Sequence, residues 1–229
     1  MEATSIEGLK LKIKNRPFGL DENLIANYFF RSFRISVMRI NNYSQINFNA
    51  KFLNNVTIQK LNPKTNNYIP TTASFVEFEP QNAKDFEAIK NAVTNWEGQV
   101  FATSIGTNAE NIIKGTISNK INHIFMLTTQ KDNFEKLDKE KVLGLANMEQ
   151  LPNKPNELRY FQVKPDSKFG TNNRKFRHVG KEMLKSIQHI YKKGQLMASY
   201  SAANFYARMG LELIDANMLV YSWHKLIQK

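Results

Sequence analysis

The segment from Glu157 to Tyr191 constrains the fold of this chain more than any other. Leu158-Arg159-Tyr160-Phe161-Gln162-Val163 is aromatic and β-branched and is closed by Lys164-Pro165, so it reads as a strand. Val179, Met183, Leu184, Ile187, Ile190 and Tyr191 recur mostly on one side at helical spacing. Between the two lies Lys175-Phe176-Arg177-His178-Val179-Gly180-Lys181, a basic stretch with one glycine. A strand, a basic loop and a helix N-terminus together form a place to hold phosphate. The first helical turn has N–H groups without internal partners, and its dipole favours anions. Gly180 lets a ligand approach the backbone, while Lys175, Arg177 and Lys181 add positive charge.

The neighbouring segments fall in a telling order. Val142-Leu143-Gly144-Leu145-Ala146-Asn147-Met148-Glu149 reads as a strand, and so does Gln195-Leu196-Met197-Ala198-Ser199-Tyr200. Ser201 then opens a helix, Ser201-Ala202-Ala203-Asn204-Phe205-Tyr206-Ala207-Arg208-Met209-Gly210-Leu211, with Ser201 as its expected N-cap. In this order the motifs resemble those of the GCN5-related N-acetyltransferase (GNAT) superfamily. The 175–180 stretch is similar to the family's Q/R-x-x-G-x-G/A loop, with Lys175 in the Q/R place and Gly180 in the Gly/Ala place. His178 stands at the first glycine place, a ring where the family usually keeps bare backbone. Residues 142–149 resemble the family's V-x-G-x-A strand. Residues 201–211 resemble its N-x-x-A-x-x-F-Y-x-x-x-G-F segment, with Ala203, Phe205, Tyr206 and Gly210 in place and Leu211 for the usual Phe.

The resemblance implies an α+β fold: a central, mostly antiparallel sheet flanked by helices, with segments 158–164 and 195–200 splaying apart to admit a thioester. It implies an acyl-CoA-dependent N-acyltransferase that moves acetyl from acetyl-CoA to a primary amine by direct attack, with no metal. Coenzyme A phosphates would then lie on Lys175, Phe176, Arg177, His178, Val179, Gly180 and Lys181, chiefly through backbone N–H groups. The pantetheine arm would pair with Phe161, Gln162 and Val163, where a backbone N–H also polarises the thioester carbonyl. Tyr206 matches the family tyrosine that protonates the departing thiolate, a phenol of pKa ~10 serving a thiol of pKa ~8.5; packing on the helix face is the competing reading. Asn204 has two equal readings, a hydrogen bond to the pantetheine arm or a helix cap. The general base falls to Glu149 ahead of Glu157, although a strand-end glutamate is more often solvated surface. Other acyl chains and a non-catalytic module stay open: a longer acyl donor, or a GNAT-like domain binding protein or RNA through a basic surface.

Composition narrows the remaining classes. The chain has 229 residues, 41% of them hydrophobic, enough for a substantial core. It has no cysteine, which excludes disulfides, thiolate metal sites and a cysteine nucleophile. Its four histidines, His123, His178, His189 and His224, show no metal-ligand spacing. No apolar run reaches membrane-spanning length, no secretory core follows Met1, and a cytoplasmic location is expected. Thirty-two Lys and Arg stand against 20 Asp and Glu, a formal charge of +12. That suits a polyanionic cofactor, but no basic block reads as a nucleic-acid arm. The aromatic stripe Tyr28, Phe29, Phe30 and Phe33 reads as core rather than base-stacking surface, so nucleic acid is not an expected partner.

Organisation changes near residue 70, which divides a β-rich N-terminal extension (1–70) from the acetyltransferase-like domain (71–229). In the extension, Leu9 to Lys14 and Ile46 to Phe52 alternate as strands, and Asp21 is placed to cap a helix through Phe29. Val56–Leu61 and Tyr68–Phe78 are expected to pair around the turn 62–67. The extension is expected to pack on the domain and shape one wall of the acceptor cleft. Further on, a helix is expected over 82–96, irregular chain over 97–121 with a short helix at 109–113, and a strand at 124–129.

Overall fold

The protein is described from a computed structural model over residues 50–79, 82–94, 96, 99–118, 120–167 and 174–224. The expectations for residues 1–49 lie outside these described residues.

The hairpin expected around residues 62–67 forms. Strand β1 (Lys51–Asn62) and strand β2 (Asn67–Phe78) pair antiparallel from Lys51↔Glu77 to Asn62↔Asn67. Asn66 closes the turn in the left-handed region (φ 55), where asparagine is tolerated. Position 70 therefore falls inside β2. The expected boundary there cuts a continuous strand, and the hairpin is built into the sheet.

After β2 come helices α1 (Ala83–Thr94) and α2 (Val100–Ile113). The expected irregular stretch at 97–121 is thus corrected to a fourteen-residue helix. Its buried residues, Ala102, Ile105, Ala109 and Ile112, are spaced three, four and three apart. Small and β-branched residues mask that stripe, because threonine, glycine and asparagine between them read as breakers. Strands β3 (Asn122–Thr128), β4 (Val142–Glu149) and β5 (Glu157–Val163) follow, each antiparallel to the one before in space. The short strand β6 (Phe176–Arg177) then leads into α3 (Val179–Ile190). Strand β7 (Lys193–Met197), helix α4 (Tyr200–Arg208) and strands β8 (Glu212–Asp215) and β9 (Val220–His224) complete the order.

Among the described residues nine strands form one sheet ordered β6-β1-β2-β3-β4-β5-β7-β9-β8. Every pairing is antiparallel except β5 with β7, which are parallel and meet at Glu157↔Gln195 alone. Side-chain alternation sorts the core onto two faces. Phe75, Phe125, Ala146 and Leu158 pack with Val179, Met183, Leu184 and Ile187 of α3 and Tyr206 of α4. Val76, Ile124, Met126 and Leu145 pack with Ile89, Ala92, Ile105 and Ile112 of α1 and α2. Each fully buried Leu, Ile or Phe here contributes about 1.5–3 kcal/mol of apolar burial. Ile190, expected on the buried side of α3, is instead 41% exposed, since Tyr191 turns the chain out of the helix immediately after it.

Candidate active site

The single β5–β7 bridge marks where two parallel strands begin to part. At the bridge Gln195 N–H donates to Asn156 O at 2.8 Å, and the Asn156 side chain donates to Lys193 O at 2.8 Å. Beyond it the strands share no further ladder pair, because one extra residue sits in β5. The β4–β5 register shifts between Asn147↔Tyr160 and Met148↔Leu158, leaving Arg159 as a bulge. The bulge changes which main-chain groups face β7. Lys164 N–H donates to Leu143 O at 2.8 Å, so by strand alternation the main chain of Gln162 also faces β4. The main-chain groups of Phe161 and Val163 then face the gap. Gln162, expected to pair with the pantetheine arm, is turned the other way; its buried amide donates to Val163 O at 3.0 Å.

One wall of the gap is apolar. Phe161 and Phe205 stack with ring centroids 6.5 Å apart, and both are partly buried. Gly180, on the first turn of α3, lies against this wall. A Cβ there would meet Val163, Phe205 and Phe161 at 3.4, 3.5 and 3.6 Å. Alanine would just touch them, and anything larger would enter the space where β5, α3 and α4 converge. Val179 is fully buried and anchors the helix start.

The loop before α3 ends on a left-handed residue. His178 is the N-cap and takes φ 68, ψ 3, a left-handed backbone that glycine enters without cost. Histidine meets this conformation under strain. Its side chain makes no capping bond, so it leaves the first N–H groups of α3 to another acceptor. Lys175 is exposed and ion-paired with Asp166 at 3.2 Å, which spends part of its charge. Phe176 and Arg177 form β6 and pair with Lys60 and Gln59 of β1, so this part of the expected loop is strand. Lys181 is exposed on the first turn of α3.

Tyr206 and Glu149 contrast sharply. Tyr206 is 6% exposed, packed between Phe205 and Tyr221 at centroid distances of 5.1 and 6.0 Å. Burial alone pushes its phenol well above its ordinary pKa, so it holds its proton throughout the neutral range. Glu149 ends β4 directly opposite Glu157, and Arg159 reaches both, at 3.5 Å to Glu149 and 3.0 Å to Glu157. The bulged arginine was invisible as a site residue, since a bulge is set by pairing rather than by local sequence.

Two helix-cap expectations are corrected. Ser199, not Ser201, is the N-cap of α4. Asn204 sits mid-helix and exposed, its carbonyl accepting from Arg208 Nε at 3.1 Å, so its capping reading falls.

No family model matches this sequence, and no curated protein matches it. Among solved structures, a GNAT-family protein from Desulfovibrio desulfuricans is 13% identical, covering 66% of this chain and 98% of its own, at a TM-score of 0.45. A GNAT-family acetyltransferase from Staphylococcus aureus is 15% identical, covering 66% of this chain and 98% of its own, at 0.43. Tetrahymena GCN5 is 8% identical, covering 76% of this chain and all of its own, at 0.43. These are distant likenesses, and the functional reading rests on the sheet and its gap. Among the described residues no helix is long and apolar enough to cross a membrane.

Proposed function

We propose that this chain is an N-acetyltransferase, carrying acetyl from acetyl-CoA to a primary amine. The observation that carries the reading is that β5 and β7 pair only at Glu157↔Gln195, while the far end of β5, at Phe161 and Val163, lies against Gly180 on the first turn of α3. It leaves an unpaired strand edge next to an anion-favouring helix end, the two things an extended, phosphate-headed thioester needs. Acetyl-CoA supplies an activated carbonyl that an amine attacks directly, the C–N bond forming as the C–S bond breaks.

The chain's residues divide the work. First-turn N–H groups of Val179, Gly180 and Lys181, with Arg177, hold the phosphates; Lys175, Phe176 and His178 shape the approach. Phe161 and Val163 present main-chain groups to the pantetheine amides, and an N–H there polarises the thioester carbonyl. Asn204, exposed on α4, offers its side-chain amide to the arm. Tyr206 gives its proton to the departing thiolate; burial makes the phenol a weaker acid, so the transfer depends on the thiolate being held against it. Glu149, held by Arg159, takes the proton that the amine must lose.

A thermal-shift series with coenzyme A, acetyl-CoA and a long-chain acyl-CoA tests this, because a ligand that binds only the native state raises apparent stability. Stabilisation by acetyl-CoA at least equal to that by the long-chain ester is expected, together with thiol release on adding amines. Greater stabilisation by the long-chain ester would move the reading to another acyl donor. No shift with any of the three would leave a non-catalytic module.

A further inference from the structure

The loop that leads into α3 does not hold itself in place. Four consecutive residues, Arg174 to Arg177, are each tied to the β1–β2 hairpin, which lies more than a hundred residues earlier in the chain. Tyr68 donates its hydroxyl to Arg174 O at 2.6 Å. Leu61 N–H donates to Lys175 O at 2.8 Å. Phe176 and Arg177 pair with Lys60 and Gln59. The Arg177 guanidinium then lies 3.7 Å above the centre of the Tyr68 ring.

Resting on the function proposed above, we infer that Tyr68 is a positioning residue for the donor's phosphates. Its chemistry suits that task better than an acidic side chain would. A carboxylate at this place would neutralise Arg177 and occupy its N–H groups. An aromatic ring holds the guanidinium by its face and leaves the N–H donors at its edge directed outward, with the charge intact. The Tyr68 hydroxyl fixes the loop backbone three residues earlier, where Arg174 Nε also donates to Ser167 O and Phe176 O at 2.9 and 2.8 Å. Tyr68 thus sets both the path of the loop and the direction of its cation, one residue before the strained His178 and the start of α3. The hairpin becomes part of the donor site without touching the thioester.

Titration of the full chain with coenzyme A and with pantetheine, which carries no phosphate, separates this role from simple packing. Tyr68→Leu is expected to weaken coenzyme A about fivefold, the equivalent of about 1 kcal/mol, and to leave pantetheine unchanged. Tyr68→Phe keeps the ring and should recover most of that loss. Arg177→Met, an exposed substitution that leaves the hairpin intact, should weaken coenzyme A similarly, and the double variant should lose less than the sum of the two. Unchanged coenzyme A affinity in Tyr68→Leu, equal weakening of both ligands, or additive losses would overturn the inference while sparing the function. A wild-type chain that does not bind coenzyme A would overturn the function and this inference with it.

Discussion

Histidine at a left-handed N-cap costs about 1 kcal/mol in backbone strain that glycine avoids. Since the His178 side chain makes no capping bond, His178→Gly is expected to raise stability by about 0.5–1 kcal/mol in chemical denaturation. Coenzyme A affinity should hold, because the first N–H groups of α3 remain; a clear loss would show that the ring itself binds phosphate. Tyr206→Phe should leave coenzyme A affinity intact and lower turnover about tenfold or more, as removal of a proton donor does. The buried phenol also gives a pH signature. Its folded pKa is raised, so between the unfolded value near ~10 and the folded one the native state holds a proton that the unfolded state has lost. Stability present below pH ~10 therefore drains away above it, by up to about 1.4 kcal/mol per pH unit for this group. Melting temperatures from pH 9 to 11 should fall less steeply in Tyr206→Phe. The places of Gly180 on the first turn of α3 and of Tyr206 on α4 are legible in the sequence, because helical spacing is a local pattern. The Arg159 bulge and its hold on Glu149 are not, because both arise from how β4 and β5 pair.

Elements defined by their own period are legible from the sequence: β4, β5, α3 and the hairpin all stand where alternation or helical spacing puts them. The irregular reading of α2 failed because burial there is carried by alanine and isoleucine between polar residues, a stripe visible only once β2, β3 and β4 supply a surface to cover. The strands β8 and β9 are short, and β9 owes its place to a contact that no local pattern announces. Gly194 on β7 faces Trp223 on β9, and any Cβ at 194 would meet the Trp223 ring well inside van der Waals contact. The ring has little freedom to yield, because its Nε1 donates to Tyr191 O at 2.7 Å in a buried setting. Gly194→Ala should therefore cost about 1–3 kcal/mol through strain and a weakened buried hydrogen bond. Tryptophan fluorescence during urea unfolding would check it, and an unchanged midpoint would show that β9 slides freely past β7.

The sheet is continuous from β6 to β8, so the molecule's two core faces depend on strands drawn from both sides of residue 70. A chain cut to residues 71–229 at that position would lose all of β1 and the first four residues of β2. It would remove the buried Ile58, open one side of Phe75 and Phe125, which stack at 5.3 Å, and leave β2 as a bare edge. Losing Ile58 alone withdraws about 2–5 kcal/mol when cavity and transfer costs are combined, against a total stability of about 5–15 kcal/mol. The lost ladder bonds and the newly exposed edge add to that. The truncated chain is therefore expected to be insoluble or to lack a cooperative thermal transition, measured by circular dichroism and size exclusion. It should also fail to bind coenzyme A, since β6 would have no partner and Arg177 no ring to rest on. A soluble, cooperatively folding 71–229 chain with intact coenzyme A binding would show that the hairpin is an appendage, and that the donor loop stands without it.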